Sequence, residues 1–216
     1  MTELTLDIVL QAYVSGVFPM AQDRHADRLY WVDPDRRGVL PLDSLRVSRR
    51  LARTVRSGRF DIRIDSAFDE VVGRCAASAP ERGETWINDE IIALYGDLHA
   101  AGHAHSVECW RDGNLAGGLY GVSIAGAFFG ESMFSGETDS SKVALVHLVA
   151  RLRSGGYRLL DTQFVTNHLT TMGVIEIARV DYHRRLGEAL ACGADFYSFS
   201  GDGDPPSVLQ SSTQTS

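Results

Sequence analysis

The sequence predicts a mixed α/β (α+β) chain, with a small N-terminal α/β unit ahead of a larger core. Three observations predict it. Three strand-like segments, His105 to Arg111, Leu115 to Ile124 and Ala127 to Ser135, follow one another closely. They are broken only at Asp112-Gly113-Asn114 and Ala125-Gly126, both hairpin signals. Capped helical segments flank this meander on both sides. The composition, 44% hydrophobic and 23% charged over 216 residues, suits a soluble globular chain with one ordinary domain and a small one.

Thr5 to Ser15 reads as an amphipathic helix with Thr5 as N-cap, Leu6, Val9, Leu10, Tyr13 and Val17 on one face, and Gly16 as its stop. A strand, Leu29 to Val32, precedes the turn Asp33-Pro34-Asp35, and Ser48 opens an arginine-rich helix that stops at Gly58. Residues 1–58 form the small N-terminal unit and 59–199 the core. In the core, Phe60, Ile62 and Ile64 alternate as a strand, and Ala67 to Ala77 is helical. Asp89 to Ala101 is a second helix, capped by Asn88 and stopped by Gly102. After the meander, Ser140 or Ser141 caps a helix to Arg153, ended by Gly155-Gly156. A strand over 157–163, a short helix over 167–172, a strand over 174–179 and a helix from about 181 to 191 complete the core. Residues 200–216, rich in Ser, Gly, Pro, Thr and Gln, are expected to be disordered.

The net charge is −7, but it is unevenly spread. From Arg36 to Arg63 nine arginines face only Asp43 and Asp61, so this segment carries +7 and the remainder −14. Such a patch is an electrostatic footprint for phosphate, with Arg46, Arg49, Arg50, Arg53 and Arg56 as candidate nucleic-acid contacts. The alternative is a solvated helix face; Lys142 is the single lysine, so arginine richness partly reflects composition. No apolar run is long enough to span a bilayer, and the N-terminus lacks the basic start of a signal peptide. Cys75, Cys109 and Cys192 form no metal or redox pattern, which points to a reducing cytoplasm. His103 and His105 share a strand face, but no further ligand has metal-site spacing, so no metal is expected.

The most informative stretch is Ala127-Phe128-Phe129-Gly130-Glu131-Ser132-Met133-Phe134-Ser135, a nearly apolar strand with a carboxylate in the middle. A second, Tyr157 to Gln163, ends on Asp161 and Gln163. Acids in such runs are costly unless paired, hydrogen-bonded or facing a cavity. Each is either a structural partner of an arginine or part of a polar site. Asp161 and Gln163, two apart, are expected on one strand face.

The order strand, two helices, three-strand meander, helix, strand, helix, strand resembles the GNAT acyltransferase fold, and a GNAT-like core is expected on that ground. In acetyl-CoA-dependent members a glycine-rich loop before the helix holds the pyrophosphate. Here that loop is Ser135-Gly136-Glu137-Thr138-Asp139-Ser140, with one glycine and two acids. A CoA-dependent N-acetyltransferase is therefore the disfavoured rival; a non-catalytic RNA- or degron-binding module is a second.

Ordered blocks narrow the resemblance. They are Gly16-Val17-Phe18-Pro19-Met20, Trp31-x-x-Pro34-x-x-Arg37-Gly38-Val39-Leu40-Pro41, and Thr85-Trp86-Ile87. Leu98-His99-x-x-Gly102-His103-Ala104-His105-Ser106-Val107-Glu108-x-Trp110 and Gly117-Gly118-Leu119-Tyr120-Gly121 follow. Phe129 to Ser135, Ser141-Lys142, Asp161-Thr162-Gln163 and His168-Leu169 complete the set. Together they resemble the leucyl/phenylalanyl-tRNA–protein transferase family over residues 7 to 185. The resemblance implies transfer of leucine or phenylalanine from aminoacyl-tRNA to the N-terminal Arg or Lys of a protein, marking it for degradation. It implies no cofactor, because the ester is already activated. The α-amine nucleophile, with a pKa of about 7.7–8.0, is partly unprotonated at neutral pH. By resemblance Asp161 and Gln163 are the catalytic pair, with Glu131 in the same site. The amino-acid pocket maps to Leu119, Phe128, Met133, Leu145, Leu148, Leu152 and Leu160, with Tyr120 and Ser135 beside it. Trp31, Trp86 and Tyr95 are candidates to contact the terminal adenosine, since aromatic faces stack on bases.

Overall fold

A computed structural model describes residues 5–24, 26, 28–77, 85–201, 204 and 207–210. The chain opens with α1 (Leu6–Val14), where Thr5 accepts the Ile8 amide as expected of an N-cap. An antiparallel ribbon follows, β1 (Phe18–Ala21) paired to β2 (Leu29–Val32). Next come β3 (Arg36–Val39), α2 (Arg49–Arg56), β4 (Asp61–Ile64), α3 (Phe68–Ala76) and α4 (Asp89–Ala100). The meander is β5 (Ala104–Arg111), β6 (Asn114–Ile124) and β7 (Ala127–Ser135). The rest is α5 (Ser140–Ser154), β8 (Leu159–Gln163), α6 (Asn167–Thr171), β9 (Ile175–Ala178) and α7 (Arg179–Leu190).

Seven strands form one mixed sheet in the order β4-β5-β6-β7-β8-β3-β9, and only β7 and β8 run parallel. The mixed α/β class is as the sequence predicts. Successive side chains alternate between two cores, one on each face. Tyr120, Val122 and Phe129 point to the face covered by α1, α3, α4 and α7, whereas Leu119 and Phe128 point to the face covered by α2 and α5. α5 is buried along most of its length, which explains why its apolar residues cover more than one face. Both hairpin signals are two-residue turns, with Asp112 and Gly113 at positive φ between Arg111 and Asn114.

Three features depart from the sequence reading. The sequence pattern announces neither β1 nor β3, because four residues containing Pro19, or two arginines and Gly38, carry no apolar alternation. β3 lies inside the large sheet between β8 and β9, so the unit assigned to residues 1–58 contributes a strand to the core. Gly38 is required there, since a Cβ would come within 2.8 Å of Thr162 Oγ1 and 3.0 Å of the Phe164 backbone. Asp139, in a left-handed conformation, takes the N-cap position of α5 instead of Ser140 or Ser141. The Ser140 hydroxyl instead donates to Ala116 O and Glu137 O. Within the tail expected to lack structure, residues 207–210 form a helical turn with Val208 and Leu209 buried against the core. Burial of these two apolar side chains offsets the ordering of the segment. Residues 202–203, 205–206 and 211–216 of that tail lie outside the described residues.

Candidate active site

β7 and β8 stay paired for three residues, from Ala127–Leu159 to Phe129–Asp161. Beyond that point they part, and a cavity of about 550 Å³ opens between Gly130–Met133 and Thr162–Gln163. Two irregularities shape its wall. Opposite β7, Gly121 pairs with Gly130 and Tyr120 with Ser132, so Glu131 is the extra residue of a β-bulge. A bulge re-aims a side chain and frees it from the ladder. Gln163 ends β8 at φ +60°, an uncommon left-handed position for a residue that is not glycine.

The two acids of the apolar strands have opposite fates. Asp161 is fully buried and its carboxylate is saturated. Arg37 contacts it with Nε at 3.0 Å and Nη2 at 2.6 Å, Tyr182 donates its hydroxyl at 2.8 Å, and the Gln163 backbone N–H donates at 2.8 Å. The Arg37 guanidinium is held 4.4 Å from both the Phe18 and Tyr182 ring centroids and donates to Gly16 O. Asp161 does not line the cavity.

Glu131 does line it. Its carboxylate accepts from Tyr13 Oη at 2.7 Å, Tyr95 Oη at 2.8 Å and Gln163 Nε2 at 2.9 Å. Burial pushes its carboxyl up to about 7, against the pull of these three donors. The two tyrosine hydroxyls are pushed well above their ordinary value, by burial first and then by Glu131, so they remain donors. With Nε2 committed to Glu131, the carbonyl oxygen of Gln163 is the acceptor left for a guest.

The other wall is apolar: Leu119, Met133, Leu145, Leu148 and Leu160. Trp86, Tyr120 and Ser135 also line the cavity. Phe128 and Leu152, both expected in the pocket, are wholly buried elsewhere in the core and do not reach it. Phe128 is on the same sheet face as Leu119 but lies where β7 is still paired to β8, packed against Phe196 and Tyr157, and Leu152 lies further along α5, beyond Leu148. Tyr95 is not an exposed stacking face: it is buried, with its hydroxyl on Tyr13 and Glu131. Trp31 is exposed on the β1–β2 ribbon and does not line the cavity.

Sequence reasoning missed Tyr13, Tyr182 and the role of Arg37. Tyr13 reads as one more apolar position of α1, and only its hydroxyl signals a buried partner. Arg37 reads as part of the basic run. Within that run Arg36, Arg50, Arg59 and Arg63 also pair with acids, at Glu176, Asp139, Glu137 and Asp61. Arg46, Arg49, Arg53 and Arg56 are exposed, with no acidic partner among the described residues. α2, which carries three of them, packs on α5, and Arg50 ties it to Asp139 at the start of that helix.

Residues 39–187 match the family model described as leucyl/phenylalanyl-tRNA protein transferase, and residues 2–35 match the N-terminal domain of the same family. The chain belongs to that family. The family's transferase of Caulobacter vibrioides is 57% identical over 212 residues, covering 98% of both chains. Those of Phenylobacterium zucineum and Paramagnetospirillum magneticum are 58% and 60% identical, covering 100% and 88% of this chain and 100% and 91% of their own. Membership makes the protein an aminoacyltransferase. No helix among the described residues is long and apolar enough to cross a membrane.

Proposed function

We propose that the protein transfers leucine or phenylalanine from aminoacyl-tRNA to the N-terminal Arg or Lys of acceptor proteins. The observation that carries this reading is the cavity itself, with an apolar wall on one side and the Glu131–Gln163 pair on the other. The amino-acid side chain occupies the wall of Leu119, Met133, Leu145, Leu148 and Leu160, and the α-amine donates to Gln163 Oε1. The amine attacks the ester carbonyl, the bond to the ribose oxygen breaks, and the proton leaves with that oxygen. Holding amine and ester together supplies much of the acceleration. Glu131, ionised, favours a cationic N-terminal residue nearby. The parallel β7–β8 pair that splays beyond Asp161 supports a GNAT-like core. A tRNA donor and three free cysteines fit a cytoplasmic protein. The direct test is transfer of radiolabelled leucine from leucyl-tRNA to an Arg-starting peptide, with an Ala-starting peptide as control. No transfer to the Arg peptide overturns the reading.

Two expected results follow from the same geometry. Met133 is unbranched and polarizable, so the wall adapts to leucine and phenylalanine, while branching at Cβ places bulk near the ester. One misplaced methyl is worth about 1–3 kcal/mol, so isoleucine and valine should be used roughly ten- to a few-hundredfold less well. Met133→Ala should cost leucine more than phenylalanine in competition between charged tRNAs. Equal use of isoleucine and leucine by the unmodified protein removes the pocket assignment. Neutralising Arg49, Arg53 and Arg56 together should weaken tRNA binding and flatten the plot of log affinity against log salt, by about 0.7–0.9 for each phosphate left without its arginine. Arg50 is left out because Asp139 already engages it. An unchanged slope moves the footprint off α2.

A further inference from the structure

We infer that Arg37 is a positioning residue that takes Asp161 out of the proton chemistry and uses it to set the conformation of Gln163. This rests on the transfer reaction proposed above. A carboxylate that served as a base would need an unoccupied oxygen aimed at the amine. Both oxygens of Asp161 are instead occupied: Oδ1 by Arg37 Nε and the Gln163 N–H, Oδ2 by Arg37 Nη2 and the Tyr182 hydroxyl. The group is fully buried and lies outside the cavity lining.

What Asp161 controls is one residue further along. Its oxygen captures the backbone N–H of Gln163, which sits in the left-handed region at φ +60°. Such a conformation persists only where the surroundings over-determine it. That turn lets the Gln163 amide reach Glu131 at the cavity wall. Arg37 anchors the assembly, because its planar fork grips the carboxylate with two nitrogens while Phe18 and Tyr182 clamp its faces and Gly16 O takes a further N–H. The residues come from three separated parts of the chain: the α1–β1 junction, β3, and the β8–α7 region.

The test is a charge-balanced double substitution. Single-turnover leucine transfer is measured at saturating leucyl-tRNA and Arg-starting peptide, with the tRNA Kd and peptide KM determined alongside. Asp161→Asn and Arg37→Gln each leave one buried charge unpaired and should each lower the rate constant roughly a hundredfold. Arg37→Gln combined with Asp161→Asn removes both charges, and the amide oxygen at position 161 can still accept the Gln163 N–H. The double variant should recover about tenfold or more over Asp161→Asn, with Kd and KM unchanged, a coupling expected of neighbours in one network. A double variant no faster than Asp161→Asn overturns the inference and makes the carboxylate charge itself the catalytic requirement. Arg37→Lys keeps the charge but not the two-nitrogen grip, and should lower the rate constant about tenfold without moving KM; an unchanged rate also overturns it. Absence of transfer by the unmodified protein would remove the reaction instead, so the two failures are distinct.

Discussion

Gln163→Ala should lower the single-turnover rate of leucine transfer on the order of a hundredfold or more, while the affinity for aminoacyl-tRNA stays the same. The side chain lines the cavity and is locked from both ends, its backbone by Asp161 and its amide by Glu131. Little base strength is needed, because a fraction of the α-amine is already neutral at pH 7. In the reaction proposed above, Gln163 contributes orientation: an acceptor oxygen that holds one N–H of the amine so that its lone pair meets the ester. Orientation of this kind supports large rate factors when the attacking atom is held near the carbonyl. The apolar wall of Leu119, Met133, Leu145, Leu148 and Leu160 is untouched by the substitution, so the donor should still bind. The check is a single-turnover series at rising tRNA concentration. A variant that reaches a near-normal plateau shows that Gln163 is a bystander.

Glu131→Gln should alter both activity and the pH dependence of stability. The Glu131 carboxyl is raised from 4.5 to about 7, chiefly by burial. Between these values the folded state keeps a proton that the unfolded chain has released. The stability it contributes is fully present below about pH 4.5 and is lost as pH rises through about 7. A shift of that size corresponds to about 3 kcal/mol. Urea unfolding at pH 5 and pH 8 should therefore show the variant losing less stability on going to pH 8 than the unmodified protein, by roughly this amount. The same pH dependence in both proteins would mean that Glu131 does not titrate in this range.

In the reaction proposed above, the active form is the less stable one. Ionised Glu131 accepts from Nε2 of Gln163 and keeps its carbonyl oxygen toward the guest. A protonated carboxyl, or the amide of the variant, can donate instead and draw the Gln163 oxygen to itself, leaving its NH2 to meet the amine. Transfer by the unmodified protein should therefore climb as pH rises through about 7, and Glu131→Gln should be slow at every pH. Stability given up at a site in exchange for reactivity is a common pattern.

Local signals in the sequence determined a great deal. Thr5, Ser48 and Asn88 cap their helices as read, because capping depends on residues within one turn. Asp112-Gly113 turns the first hairpin for a similarly local reason, the tolerance of those two residues for positive φ. The ordered motif blocks carried the family, and the expense of a buried carboxylate marked Glu131 and Asp161 as residues in need of an explanation. Which explanation applied was decided by tertiary structure alone. Asp161 met Arg37, 124 residues away. Glu131 met Tyr13, 118 residues away, and was freed from the ladder by a bulge that no periodicity announces. β3 entered the sheet between β8 and β9 although its own sequence shows no strand pattern. Composition and spacing establish that a buried charge must have a partner, since leaving it alone costs several kcal/mol. The identity of that partner depends on which distant segments the packed fold brings within about 3 Å, the reach of a hydrogen bond, and that information is not local.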